Sequence, residues 1–168
     1  MTNIDYREVA PPATSLEKQF KLVNTVLIIA MVAYAITNFA SLPAEIPMHF
    51  NAIGEADGWG NKAVLFIVPG VCIFLFFMMN IIGTLKPSTY NFPVTLTKEN
   101  AKRQVELARE MMQGLNLAIF GMLFYILWRM VVIAKGATGG LGTGFMVFFL
   151  ALIFGILGYY MYLANKAK

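Results

Sequence analysis

An all-α membrane protein, built as a four-transmembrane-helix bundle, is the fold class predicted by three observations. The 168-residue chain is 58% hydrophobic and only 13% charged, its mean hydropathy is positive, and its apolar residues fall into four long runs. Composition of this kind lies outside the range of soluble domains. About 20 mostly apolar residues are needed to cross roughly 30 Å of hydrocarbon. Four segments meet that length: Leu22 to Leu42, Ala63 to Leu85, Leu115 to Ala134 and Phe145 to Leu163. The expected organisation is a polar N-terminal arm over residues 1 to 14 and one four-helix membrane domain over 15 to 168.

The arm carries a Pro-Pro pair and little hydrophobic surface, as expected of a flexible or surface-lying segment. Residues 1 to 21 include Asp5, Glu8 and Glu17 and lack a basic start followed by an apolar core, so the first span is expected to stay as a helix rather than be cleaved. Thr14 and Glu17 have capping-box spacing, in which a hydroxyl and a carboxylate reciprocally satisfy the free amides of a helix start. The first helix is expected to run from Ser15 to about Ser41, with Pro43 helping to end it. Within the second span, Pro69-Gly70 predicts a kink. Cys72 is the only cysteine and lies in that span, which fits a packing role.

The segment KENAKRQVELAREMMQG repeats apolar residues at Ala101, Val105, Ala108, Met112 and Leu115, the spacing of a helical stripe. With Thr97 as a cap and Glu99 and Arg103 as an i, i+4 pair, it predicts a cytoplasmic helix that extends the third span. The stripe suits either its own bundle and the membrane surface or a partner. GATGGLGTG, before the fourth span, lacks the lysine of a P-loop and reads as a tight outer turn. Tyr159, Tyr160 and Tyr162 precede Lys166 and Lys168, the order of an aromatic belt and basic anchors.

Placement of charge sets the expected topology. With a cytoplasmic N-terminus, ten of the thirteen Lys and Arg lie inside, and Lys62, Arg129 and Lys135 lie outside. The positive-inside rule then places both termini in the cytoplasm of a bacterial cell, with the chain in its inner membrane. The basic residues form no solvent-facing patch, so nucleic acid is not an expected partner.

Polar residues inside the spans mark two layers. Asn24, Asn80 and Asn116 fall near the inner face on three helices and are expected to form an amide cluster, each interhelical bond contributing about 0.6 to 2 kcal/mol. No ionisable residue is expected in that layer. Near the outer face, Asn38 and Arg129 share a depth. Arg129 lies six residues from its helix end, about 9 Å, so its guanidinium either snorkels to lipid phosphate or pairs with a loop carboxylate above a pocket.

The chemistry concentrates in residues 42 to 62, LPAEIPMHFNAIGEADGWGNK, which hold the sole histidine, three carboxylates, two prolines and a tryptophan. Ile46 to Asn51 alternates apolar and polar residues, so Ile46, Met48 and Phe50 are expected to cover the bundle while His49 and Asn51 face elsewhere. Gly54 and Asp57-Gly58 supply turns, and Trp59 is expected at the interface. Three readings of His49, Asn51, Glu55 and Asp57 stay open. They could cap turns and hold the loop together, form a recognition surface for an extracytoplasmic peptide, lipid headgroup or membrane protein, or serve acid-base or metal chemistry through His49 and Asp57. There is no HExxH, no cysteine pair and no second histidine, so a zinc site would need unusual ligands; no cofactor is expected and catalytic residues are unassigned.

The pattern LPxxIPxHFNxxGxxDxWGxK resembles a bacterial integral-membrane family of unknown function that includes the sporulation-delaying-toxin immunity protein. The resemblance continues through the following span, KENAKRQ and the third span. It implies a non-enzymatic inner-membrane protein whose outer loop recognises or excludes something at the envelope. The alternative classes are a membrane-embedded enzyme or metal-binding protein using the His49/Asp57 loop and Arg129, and an accessory subunit of a transporter or membrane complex.

Overall fold

The computed structural model describes residues 10–168; the arm expected over 1 to 14 lies mostly outside these. Four helices are long and apolar enough to span a membrane. Helix α1 is Ser15–Phe39, α2 is Ile67–Ile82 preceded by a 3-10 turn over Lys62–Phe66, α3 is Ala101–Ala134, and α4 is Phe145–Lys166. A two-stranded antiparallel hairpin, β1 (Glu45–Phe50) and β2 (Ala56–Asn61), joins α1 to α2. The hairpin and the α3–α4 connection therefore share one end of the bundle, and the start of α1 and the α2–α3 connection share the other.

Helix α1 starts where its capping signal lies: the Thr14 hydroxyl accepts from the Glu17 amide at 3.1 Å. The reciprocal half of the box is absent, because the Glu17 carboxylate turns instead to Lys21 at 2.7 Å and Arg109 at 2.7 Å. Pro69 is the third residue of α2, and the span changes from the 3-10 turn to α-helix just before it.

Helix α3 runs unbroken for 34 residues, roughly 51 Å at 1.5 Å per residue, so about 20 Å projects beyond a 30 Å hydrocarbon layer. Its start is capped reciprocally: the Thr97 amide donates to the Asn100 side chain at 2.9 Å, and the Asn100 amide to the Thr97 hydroxyl at 3.3 Å. Arg103 reaches forward to Glu106 at 3.3 Å and Glu110 at 3.6 Å, not back to Glu99. The Ala101 and Val105 end of the stripe is buried within its own bundle.

The core lies between α1, α2 and α3, around Met31, Ala35, Leu65, Cys72, Phe120 and Leu127, with Leu42 and Ile46 from the hairpin stem. Helix α4 packs on α3 near its own C-terminus through Tyr160 and Ala164 against Leu107. There the Gln104 amide donates to the Ala164 and Ala167 carbonyls at 2.8 and 3.1 Å.

One buried ion pair pins α1 to α3. Arg109 donates from Nε and Nη2 to Glu17 Oε2 at 3.0 and 2.7 Å, and from Nη1 to the Pro11 carbonyl at 2.8 Å. Both side chains are almost fully covered. Breaking a buried pair strands a charge and costs about 3 to 5 kcal/mol, while replacing both partners by apolar groups is far cheaper. Glu17→Leu and Arg109→Leu should each lower the unfolding temperature in detergent. The double variant should lose much less than the sum, as a double-mutant cycle followed by circular dichroism will report.

Candidate functional site

The hairpin register pairs Glu45 with Asn61, Ile46 with Gly60, Pro47 with Trp59, His49 with Gly58 and Phe50 with Ala56. Register shifts on both sides of His49 leave two extra residues, Met48 on β1 and Asp57 on β2. Proline cannot donate to a ladder and is tolerated where one is interrupted, and Pro47 sits beside this irregularity. The bulge breaks the simple alternation: Ile46 and Pro47 are buried, Phe50 is half-buried, and Met48, expected to cover the bundle, is exposed.

Glycine relieves crowding opposite the displaced side chains. A Cβ on Gly58 would stand 2.9 Å from the His49 Cβ, and one on Gly60 would collide with the Met48 sulfur. The strands then close on a turn organised by Asn51. Its Oδ1 accepts from the Ile53 and Glu55 amides at 3.1 and 2.9 Å, its Nδ2 donates to Glu55 Oε2 at 3.3 Å, and its backbone amide donates to the Glu55 carbonyl at 2.9 Å. An Asx side chain here does the work of a backbone turn.

The hairpin is fastened to the bundle at its stem and at its turn. At the stem, the Lys62 ammonium donates to the Phe39 and Leu42 carbonyls at 3.2 Å each and lies 4.7 Å from the Phe39 ring centre. It satisfies carbonyls at the C-terminus of α1, where a cation also suits the helix dipole. At the turn, the Leu141 amide from the α3–α4 connection donates to the Gly54 carbonyl at 2.6 Å, and the Tyr125 hydroxyl donates to the Leu141 carbonyl at 2.8 Å. Leu141 is buried, and a Cβ on Gly140 would run into the Gly54 carbonyl. GATGGLGTG is thus a docking loop rather than a tight turn. Its positive-φ glycines let it fold back onto the hairpin.

The singled-out side chains form separate groups. His49 Nδ1 lies 2.5 Å from Asp57 Oδ1, and both side chains are well exposed. Asn51 and Glu55 belong to the turn. Asn38 accepts from the Lys135 ammonium at 2.7 Å and donates to the Tyr34 carbonyl at 2.9 Å. Arg129 contacts the Thr138 carbonyl at 3.4 Å and the Trp128 ring at 5.5 Å, with no carboxylate partner among the described residues. Trp59 is half exposed. The cavity beside the turn, lined by Phe50, Asn51, Gly54, Leu141 and Phe145, measures about 30 Å³, room for about one water.

Chemically, the histidine and carboxylate sit on an open surface. Among the described residues no three His, Cys, Asp or Glu side chains come close enough to hold a metal ion. The better-developed feature is a relief of Met48, His49, Ile53 and Trp59 on a hydrogen-bonded frame.

At the opposite end the structure gathers residues that the sequence reading left apart. A polar cleft of about 330 Å³ is lined by Glu17, Lys21, Asn80, Thr84 and Arg109. Ionisable groups therefore do share the layer of Asn80, contrary to expectation. The three asparagines are not linked to one another by hydrogen bonds: Asn24 donates to the Gln113 carbonyl at 3.1 Å, Asn80 to the Phe76 carbonyl on its own helix at 2.8 Å, and Asn116 Nδ2 is buried without a partner. Arg109, Gln113 and Asn116 recur at i, i+4 and i+7, so a polar stripe in the sequence did mark this face of α3. Nearby, the Tyr90 hydroxyl donates to the Ile82 carbonyl at 2.5 Å, and burial raises its pKa.

Comparison with known proteins places the hairpin at the centre of the detectable likeness. Residues 26–73, from the middle of α1 through the hairpin into α2, match a domain of unknown function, DUF1648. A 60-residue stretch, 36% of this chain, is 33% identical to an uncharacterized protein of Archaeoglobus fulgidus and spans 33% of that relative's length. No solved structure matches. The family match, the archaeal relative and the four apolar helices support kinship with a membrane-type family of unknown function.

Proposed function

We propose that this is a non-enzymatic, multi-pass protein of the bacterial inner membrane, both termini cytoplasmic, whose hairpin is a rigid recognition element on the outer surface. The observation that carries the reading is the hairpin's double fastening, by Lys62 at the stem and Leu141 at the turn, beneath an outward relief of Met48, His49, Ile53 and Trp59. Exposed apolar side chains on a preordered frame bind with little loss of conformational freedom. An extracytoplasmic peptide is the class of partner this relief suits. Toxin immunity is the version suggested by the resemblance of the loop, with the hairpin intercepting a membrane-active peptide.

The orientation has a direct check. In a Cys72→Ser background, Ile53→Cys should react with a membrane-impermeant maleimide on intact cells, and Ser88→Cys only after permeabilisation. The reverse pattern overturns the topology.

Recognition is tested by placing a photoreactive phenylalanine at Ile53 or Trp59, with lipid-facing Phe74 as the comparison. Discrete peptide or protein adducts are expected from the hairpin positions alone; adducts to lipid only, at all three positions, would refute the reading. Gly140→Ala should release the turn from Leu141, raise protease cleavage within residues 51 to 55 and weaken those adducts. For the immunity version, expression should raise the tolerance of sensitive cells to a membrane-active peptide toxin, and Trp59→Ala should reduce that protection. Unchanged sensitivity across the peptides tried removes it.

A further inference from the structure

Helix α4 is held to α3 near its C-terminus, and at its start by the Phe145 ring stacked on Tyr125 at 5.1 Å, but between these two ties the helices part. The seam opens into a groove of about 410 Å³ lined by Leu117, Ala118, Gly121, Met122, Phe148 and Leu152, with Tyr125 and Phe145 at its mouth. These residues belong to membrane-spanning helices. The one polar group contributed by the mouth, the Tyr125 hydroxyl, is already spent on the Leu141 carbonyl. Space above Gly121 is open. Hydrocarbon offers no water to fill such a groove, so its natural occupant is a flexible apolar chain.

A cation stands at the mouth. Ala118, Met122, Tyr125 and Arg129 recur at i, i+4, i+7 and i+11, so Arg129 continues the groove-facing stripe one turn past Tyr125, about 6 Å along the axis. Trp128 joins the two, its ring 5.6 Å from Tyr125 and 5.5 Å from the guanidinium. Arg129 has no carboxylate partner among the described residues. Its contact to the Thr138 carbonyl is long, at 3.4 Å, and its Nε is buried with no hydrogen-bond partner. An apolar slot ending at an uncompensated guanidinium has the polarity of an anionic amphiphile.

We propose that the α3–α4 groove holds one acyl chain of an anionic phospholipid from the leaflet on the hairpin side, with the lipid phosphate on the Arg129 guanidinium. Guanidinium offers a planar set of donors matched to phosphate oxygens, and the acyl chain replaces packing that α3 and α4 do not supply to each other. This assignment is independent of what the hairpin recognises.

The chain has two tryptophans, Trp59 and Trp128, so the full-length Trp59→Phe protein carries its only indole at the groove mouth. It is reconstituted in dioleoylphosphatidylcholine vesicles containing increasing fractions of brominated phosphatidylglycerol or brominated phosphatidylcholine. Trp128 quenching should favour the anionic lipid about fivefold, the equivalent of roughly 1 kcal/mol for a partly exposed charge pair. Arg129→Gln should abolish the preference and Arg129→Lys restore part of it. Gly121→Leu, which fills the groove while keeping the charge, should also remove it. Circular dichroism confirms the helical fold of each variant, and should Arg129→Gln not fold, Gly121→Leu decides. Equal quenching by both lipids in the parent protein overturns the proposal, as does a preference that survives Gly121→Leu. Millimolar inorganic phosphate should leave the preference intact; its loss would assign the cation to free phosphate and overturn the lipid assignment.

Discussion

The ion pair between Glu17 and Arg109 sets the depth and register from which the rest of the bundle follows. A guanidinium this well covered must be paired, because an isolated buried charge costs several kcal/mol. One carboxylate oxygen takes two of its donors and the other holds Lys21. From that fixed point α1 and α3 run parallel. Asn24 meets Gln113 further along, and Asn38 meets Lys135 at the far end. Glu17 to Asn38 spans 21 residues, about 32 Å of helix, close to the hydrocarbon thickness. The polar ties therefore sit at the two membrane surfaces and the apolar packing of Met31, Ala35, Phe120 and Leu127 between them. Lipid tails are as apolar as leucine, so hydrophobicity alone would not choose this register.

At the hairpin end the same constraint acts on backbone groups. The C-terminus of α1 leaves carbonyls near the membrane surface, and unsatisfied polar groups are costly at that depth. Lys62 satisfies two of them from the far end of the hairpin, so ending α1 and closing the β-ladder are one event. Gly54, Gly58, Gly60 and Gly140 are each placed where a Cβ would crowd a neighbour. Most of the loop motif thus has a structural reason. That leaves His49 and Asp57, paired with each other, and Trp59 as side chains of the motif that the frame does not bury.

The four spans and the unbroken α3 were legible because they rest on run length and on a sustained 3.6-residue stripe, both local signals. So was the start of α1, since Thr14 caps an amide three residues away. At Pro69 the sequence marked an irregularity but not its form: a 3-10 turn over Lys62–Phe66 gives way to α-helix just before the proline. The bulge at Met48 was hidden because strict alternation looks the same with or without one extra residue. Arg129 was legible as a charge at the membrane edge but not in its partner, since snorkelling and pairing place the same residue at the same depth. Docking of Leu141 on Gly54 joins positions 87 residues apart, and nothing in a glycine-rich run distinguishes a turn from a strap. The Glu17–Arg109 pair was missed for a related reason: Glu17 had a sufficient local explanation as half of a capping box, and Arg109 counted only among the inner-side cations.

Stability is distributed unevenly among the four helices. Helices α1, α2 and α3 share a core, with polar ties between α1 and α3 toward both membrane surfaces, whereas α4 is joined to α3 by Gln104 and a small cluster around Tyr160 at one end and by the Tyr125–Phe145 stack at the other. Glycines at 155 and 158 leave open space along α4 where small residues would permit a close helix approach. Its side chains Val147, Phe148 and Phe154 are exposed to the surroundings instead. A helix held this way is positioned by its ends: Tyr160 and the Gln104 contacts at one, and Gly144 with the docked Leu141 loop at the other. That loop is also what fastens the hairpin turn, through Leu141 and Gly54, so the start of α4 and the hairpin share one anchor. The hairpin surface and the α3–α4 groove, the two binding surfaces proposed above, are thereby joined through one short segment, residues 135 to 144.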